Sequence, residues 1–466
     1  MAHIGNKPNS NSIRSLRRSL VALLGLAVVS ALAMAAQRAS DDAMRRAAAR
    51  VEAAGSSLDP RQIALDPPSA GGNAHPALEA ARRWLKNDDQ KLYREFHRRL
   101  QREILKRGDR MTPEDLELFR RAIDHYGPVF EILDAAASLD GASFDFDRHL
   151  PTGLQLPYLN ASEHFGDLLS GRAHVAYAEG RPADAWRDVR MMFRLAAWKA
   201  REMPILVNQL MAYTVIDSAV LEAQALLRGG ATPDAETVAE IQATLAEMRR
   251  ADWRAHFDRA LEMERAEMVT WLNDRKRGGE LIRSWFPVRV WPSIPLRPWR
   301  TFDLAHYAEA MTDFMEVCRR PAFERPAVAG RYGHLETHLE RVEDHYPVPR
   351  WAPLTRGLLN AGLVSSCDRR DEALASLDMM ETALRLESHR QSTGAYPLTL
   401  EDLGDVPIDP FSGLSFVYRP TATGAVLYGV GINRVDDGGE PHPERSSGDW
   451  NHYHGDRVWL LDSRGL

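Results

Sequence analysis

The chain has 466 residues, 44% hydrophobic and 27% charged, a mixture that supports two or three ordinary cores and excludes disorder throughout. Its 59 basic and 65 acidic residues leave a formal net charge of -6, which excludes an overall nucleic-acid footprint, so no nucleic-acid partner is expected. Two cysteines, Cys318 and Cys367, are too few for a disulfide framework or a four-thiolate zinc site.

Lys7, Arg14, Arg17 and Arg18 precede an uncharged stretch from Ser19 to Gln37, SLVALLGLAVVSALAMAAQ. A bilayer is spanned by a helix of roughly 20 residues, so this segment is expected to enter a membrane. It exceeds the usual apolar region of a signal peptide, about 7 to 15 residues, which favours an uncleaved anchor. Small residues at Ala31, Ala33 and Ala35 keep cleavage open as the alternative. Arg38, Arg45, Arg46 and Arg50 nearly balance the basic residues upstream, so charge bias alone does not orient the segment. Residues 1–18 read as a cytoplasmic export signal, and no later stretch reads as a span. The expectation is therefore a single-pass protein of the bacterial inner membrane, anchored by residues 19–37, with its body on the periplasmic side. Residues 38–76 read as a linker, flexible over 51–76 where GSSLDP and PPSAGG occur.

Residues 77–370 read as a helical body. Thr112-Pro113-Glu114-Asp115 and Thr232-Pro233-Asp234 each combine an N-cap hydroxyl, proline at the first helical position and first-turn acids. After the second, Val238, Ile241, Leu245 and Met248 recur at helical spacing. Between 165 and 200 a helix, a turn at Gly180 and a second helix place the small residues Ala173 and Ala185 for close antiparallel approach. The pair weakly resembles one tetratricopeptide-type hairpin. No copy follows at the 34-residue offset such repeats have, and about three stacked units are needed for a solenoid, so an irregular hairpin bundle is favoured over a degenerate array.

Four features of the body bear on chemistry. Glu264 falls in the apolar stripe of Leu261, Met268 and Trp271, so it is either an acid of raised pKa or the partner of an arginine on a neighbouring helix. His334 and His338 stand four apart in HLETH, a metal-sharing spacing, but Glu336 lies two positions on from His334 rather than one, and a solvated polar face is the alternative. Arg283 to Arg300 interleaves basic residues with Trp285, Phe286, Trp291 and Trp299, which suits a bilayer interface or an extended strap across the body. Cys318 and Cys367 either pair or remain buried thiols. The chain carries no Walker-type loop, Gly-x-Ser-x-Gly elbow or dinucleotide glycine fingerprint.

From 371 the texture changes. An amphipathic helix ends near Thr393-Gly394, followed by Tyr396-Pro397, then IDPFSGLSFVYRP, AVLYGVGIN, RVDDGGE and DRVWLLD. Alternation at Leu414, Phe416 and Tyr418, then Val426, Tyr428 and Val430, predicts two strands around Thr423-Gly424, and Val458 to Leu461 a third. This order of motifs, over about 371–466, resembles the C-terminal module of the major pseudopilins of type II secretion, also carried by large exported bacterial helical proteins. The resemblance implies calcium in the loop before the last strand, held by Asn433, Asp436, Asp437 and Asp456. The chemistry is permissive, since calcium takes six to eight hard oxygens. The alternative is a polar turn held by hydrogen bonds. Departures are the missing glutamate after a processed N-terminus, an anchor more than 300 residues away, and the insertion GEPHPERSSGDWNHYHGD. That insertion offers His442, His452 and His454 with Asp449 and Asp456 as a competing transition-metal set or as incidental residues of a loop.

The expected fold is mainly α: an N-terminal membrane helix, an irregular helical-hairpin body, and a small C-terminal α+β module with a three-stranded antiparallel sheet. The expected function is a membrane-anchored scaffold with protein partners in the cell envelope. The alternative is a metal-dependent hydrolase using Glu264 or the 442–456 segment.

Overall fold

The computed structural model describes residues 10–64, 72–88, 90–100, 111–144, 161–229, 233–250, 252–273, 297–325, 355, 359, 361–422, 424–439 and 455–462. Helix α1 runs unbroken from Ser10 to Ala53, 44 residues, or about 66 Å at 1.5 Å per residue. From Leu26 to Ala54 it contains neither glycine nor proline and is rich in alanine, the strongest helix former. It stops where Gly55, at φ +80°, accepts the left-handed backbone of a helix C-terminus. Its two halves differ in surroundings. Leu23, Leu24, Leu26, Val28, Val29, Leu32 and Met34 are exposed, and the helix is long and apolar enough to cross a membrane. Beyond them Ser40, Ala47 and Val51 are buried against α11 (Arg297–Arg319), and Arg50 pairs with Asp313.

This corrects the expected linker at 38–76. Residues 40, 43, 44, 47 and 51 form a helical stripe of small or apolar side chains that packs on the body. After it, Asp59 caps a single turn at Pro60–Gln62 by accepting from the Arg61 amide, and Ile63 is buried.

The body contains α2 (His75–Asn87), α3 (Lys91–Arg99), α4 (Pro113–His125), α5 (Gly127–Ala136), α6 (Ala161–Ala178), α7 (Pro182–Glu202), α8 (Leu206–Arg228), α9 (Ala235–Arg250), α10 (Trp253–Asn273) and α11. Thr112 begins α4 with a full capping box to Asp115, as its sequence predicts. Thr232 lies outside the described residues; at the start of α9 it is Asp234 that accepts from the Thr237 amide. The α9 stripe of Val238, Ile241, Leu245 and Met248 is buried. The α6–α7 hairpin turns at Gly180, φ +72°, with Ala173 and Ala185 fully buried. Against this hairpin packs α8, whose length and apolarity also satisfy the requirements of a span. It is the core helix of the body instead: Ala212, Ile216, Ala219 and Ala223 are fully buried.

Helix α12 (Ala361–Thr393) crosses the expected domain boundary at 371 without a break. It carries an antiparallel sheet in the order β1 (Val417–Pro420), β2 (Gly424–Gly429), β3 (Arg457–Asp462), with Tyr418 opposite Leu427 and Leu427 opposite Trp459. Phe416, Leu427, Trp459 and Leu461 belong to the same hydrophobic core as α6–α8, so the module shares its interior with the body. The first strand starts later than predicted. Buried Asp409 accepts from the amides of Phe411 (2.9 Å) and Val430 (3.0 Å), while its own amide bonds Leu414 O. That turn holds Leu414 outside the ladder, 70% exposed.

Candidate functional site

The four residues expected to hold calcium lie in the loop after β2 and at its return before β3, joined by separate hydrogen bonds rather than around one point. The loop leaves β2 through Gly431, φ +64°, where an added Cβ would lie 2.6 Å from Gly455 O. The two ends of the loop therefore touch, and only glycine allows it. Asp436 Oδ1 accepts from the Tyr428 hydroxyl at 3.0 Å and from the Gly438 amide at 2.9 Å. Asn433 Nδ2 donates to Asp437 Oδ2 at 2.9 Å, and the Gly439 amide donates to Asp456 Oδ2 at 2.6 Å. Asp456 is buried, and its Oδ1 has no hydrogen-bond partner among the described residues. Burial, with the charges of Asp436 and Asp437 nearby, raises its carboxyl pKa above the ordinary value despite the amides that donate to it.

The donors have calcium chemistry, but among the described residues no three His, Cys, Asp or Glu side chains converge as a metal ion requires. Asp436 and Asp437 are turned to the loop's own donors. As arranged, the cluster is a hydrogen-bonded polar turn.

Glu264 lies on α10, half-buried, and makes no hydrogen bond or ion pair among the described residues; the expected arginine partner is not found there. The neighbouring Arg265 is bound instead to Thr312 and Ser56. Burial pushes the Glu264 carboxyl from an ordinary 4.5 up to about 7. The folded protein thus holds this proton more tightly than the unfolded chain. The group's stabilising contribution is full below about 4.5 and is lost as pH rises through about 7. Glu264→Gln removes that loss, so its urea midpoint is expected to match the parent at pH 4.5 and to exceed it at pH 8 by the equivalent of about 1–2 kcal/mol, discounted for partial exposure. A difference independent of pH would show a charged, paired carboxylate instead.

Glu264 does not reach the loop or the cleft of about 590 Å³ between the end of α1 and α10, which is lined by Glu52, Asp59, Arg61, Thr270 and Trp271. His334, His338, His442, Asp449, His452 and His454 lie outside the described residues, as does the strap from 283 to 296. Cys318 and Cys367 are both buried, as free thiols, in the same hydrophobic core, and Arg325 donates to Cys367 Sγ at 3.4 Å while Arg370 donates to Cys318 O at 2.9 Å.

Sequence reasoning missed three buried ionic knots. Glu202 accepts from Arg82 through two bonds of 2.7 Å, from His75 at 2.7 Å and from Lys199 at 3.2 Å. Burial alone would raise its pKa, yet Lys199, His75 and Arg82 hold the carboxyl well below the usual range. Asp217 on α8 accepts from Arg369 (3.0 Å) and Ser376 (3.2 Å) of α12 and from Arg457 (2.6 Å) of β3. Asp371 joins Arg370 at 3.0 Å to Arg325, and Arg370 lies over the Phe257 ring. Each knot ties helices or strands to one another inside the protein. The available signal was Arg82 between Leu78 and Leu85, a charge on an apolar stripe. No protein-family model, curated protein or solved structure matches the chain.

Proposed function

We propose that the chain is an exported scaffold of the bacterial cell envelope, held in the inner membrane by residues 19–37, with its body on the periplasmic side and its sheet module as the docking end for protein partners. One observation carries this reading: α1 passes as a single helix from an exposed apolar half into a half buried in the body. From Gln37 to Ala53 the same helix runs on for about 24 Å, packed on the body from Ser40, so the anchor enters the body as one rigid helix rather than through a leash.

Membrane pellets washed with alkaline carbonate are expected to retain the full chain, and protease added to spheroplasts is expected to digest its body. A chain extracted by carbonate, or a body protected in spheroplasts, would remove the proposal.

Calcium in the 431–439 loop is a second proposal, favoured by the buried Asp456 Oδ1, which has no hydrogen-bond partner among the described residues. A divalent cation would relieve the repulsion among Asp436, Asp437 and Asp456, provided the first two rotate off their present donors. Calcium added to chelator-treated protein is expected to raise the melting temperature by about 3 °C or more, and Asp456→Asn to abolish the rise. An unchanged melting curve sinks this proposal and leaves the scaffold reading intact.

A further inference from the structure

We infer that Cys318 and Cys367 form a disulfide that staples the anchor-bearing layer of the body to the helix carrying the sheet module. Cys318 is in the last turn of α11, the helix on which α1 lies, and Cys367 is in the second turn of α12. The two side chains lie in the shared core, at 0% and 5% exposure, and are gathered by one ionic knot. Their surroundings keep them together. Arg370 donates to Cys318 O at 2.9 Å, Arg325 donates to Cys367 Sγ at 3.4 Å, and both arginines are bound to Asp371. A thiol pair inside an ionic knot is brought into register by the fold itself.

The oxidant is a small or protein disulfide, with glutathione disulfide as the probe. The thiolate of one cysteine attacks it, forming a mixed disulfide and releasing one glutathione. The second cysteine then attacks the mixed disulfide, closing the Cys318–Cys367 bond and releasing the second glutathione. Two electrons pass to the oxidant, and the two thiol protons end on the two glutathione molecules. Neither sulfur is open to solvent in the folded protein, so the exchange belongs to the folding chain. Burial then raises the Cys318 thiol well above its ordinary pKa, and the bond is shielded from later exchange.

Formation in the cell rests on the exported location proposed above; the capacity of the two sulfurs to join does not. The full chain, alkylated in acid-quenched cells and digested, is expected to give one peptide pair joined through Cys318 and Cys367. Full chain reduced, unfolded and refolded in detergent with glutathione disulfide is expected to give the same pair. Chain refolded with reductant present should melt about 5 °C or more below chain refolded with glutathione disulfide, as expected for opening a closed loop of about 50 residues. Cys367→Ala, small and apolar, should fold and lose that reductant-sensitive shift. Two alkylated thiols in both arms, in protein with the native far-ultraviolet spectrum, would overturn the inference. A bond in the refolded arm alone supports the pairing and contradicts the exported location.

Discussion

Glu202→Gln is expected to lower the free energy of unfolding by about 3–5 kcal/mol, the cost of leaving buried charges without their counter-charge. Glu202 is 4% exposed, and its carboxylate is the acceptor for both Arg82 and Lys199, themselves buried. The amide of glutamine keeps the volume and one acceptor but removes the charge. Urea unfolding at pH 7 measures the loss directly. The pH dependence gives an independent check. The folded pKa of Glu202 is depressed, so its contribution is present above the ordinary 4.5 and disappears as pH falls through the folded value. Parent and variant should therefore converge in acid. A variant within 1 kcal/mol of the parent at pH 7 would show that solvent reaches this knot.

Asp217→Ala is expected to cost about 2–4 kcal/mol, placed below the fully buried case because the Asp217 side chain keeps 14% of its exposure. It is the acceptor shared by Arg369 and Ser376 of α12 and Arg457 of β3, so its loss should loosen the sheet more than the hairpin core. Amide hydrogen exchange should show β3, which among the described residues pairs only with β2, losing protection before α7 and α8. Arg457→Met, which leaves the Arg369 pair in place, should cost about 1–2 kcal/mol. Equal loss of protection throughout the chain would mean that module and body unfold only as one unit.

Local chemistry was legible in the sequence, and distant partnership was not. The Thr112 cap, the Gly180 turn and the α9 stripe each depend on residues within a few positions, and each stands where its residues place it. The three-stranded antiparallel sheet follows from alternation in the same way. Leu414 departs from its predicted strand because its carbonyl accepts from the Asp409 amide in a turn that the Asp409 carboxylate also ties to Val430, 21 residues away, an arrangement that no periodicity encodes. Arg82 and Glu202 are 120 residues apart, and each reads alone as a misplaced charge. The α1 stripe at 40, 43, 44, 47 and 51 was present in the sequence and was obscured by the Gly-Ser and Pro-Pro motifs that follow it. For the loop, the residue types pointed to one cluster, but the structure holds Asn433 with Asp437, Asp436 with Tyr428, and Asp456 with the Gly439 amide, without a point where three carboxylates converge. What composition did not carry is the direction of each carboxylate, set by the Tyr428 hydroxyl and the amides of Gly438 and Gly439.

The anchor exists only if the N-terminal half of α1 is retained, and the peptides of the chain recovered from membranes decide it. The scaffold account predicts that residues 19–37 stay on the chain, so that digestion of the membrane fraction yields peptides running continuously across Ala31 to Arg38. A mature chain beginning just after Ala33 or Ala35, recovered in the soluble periplasmic fraction, would contradict it.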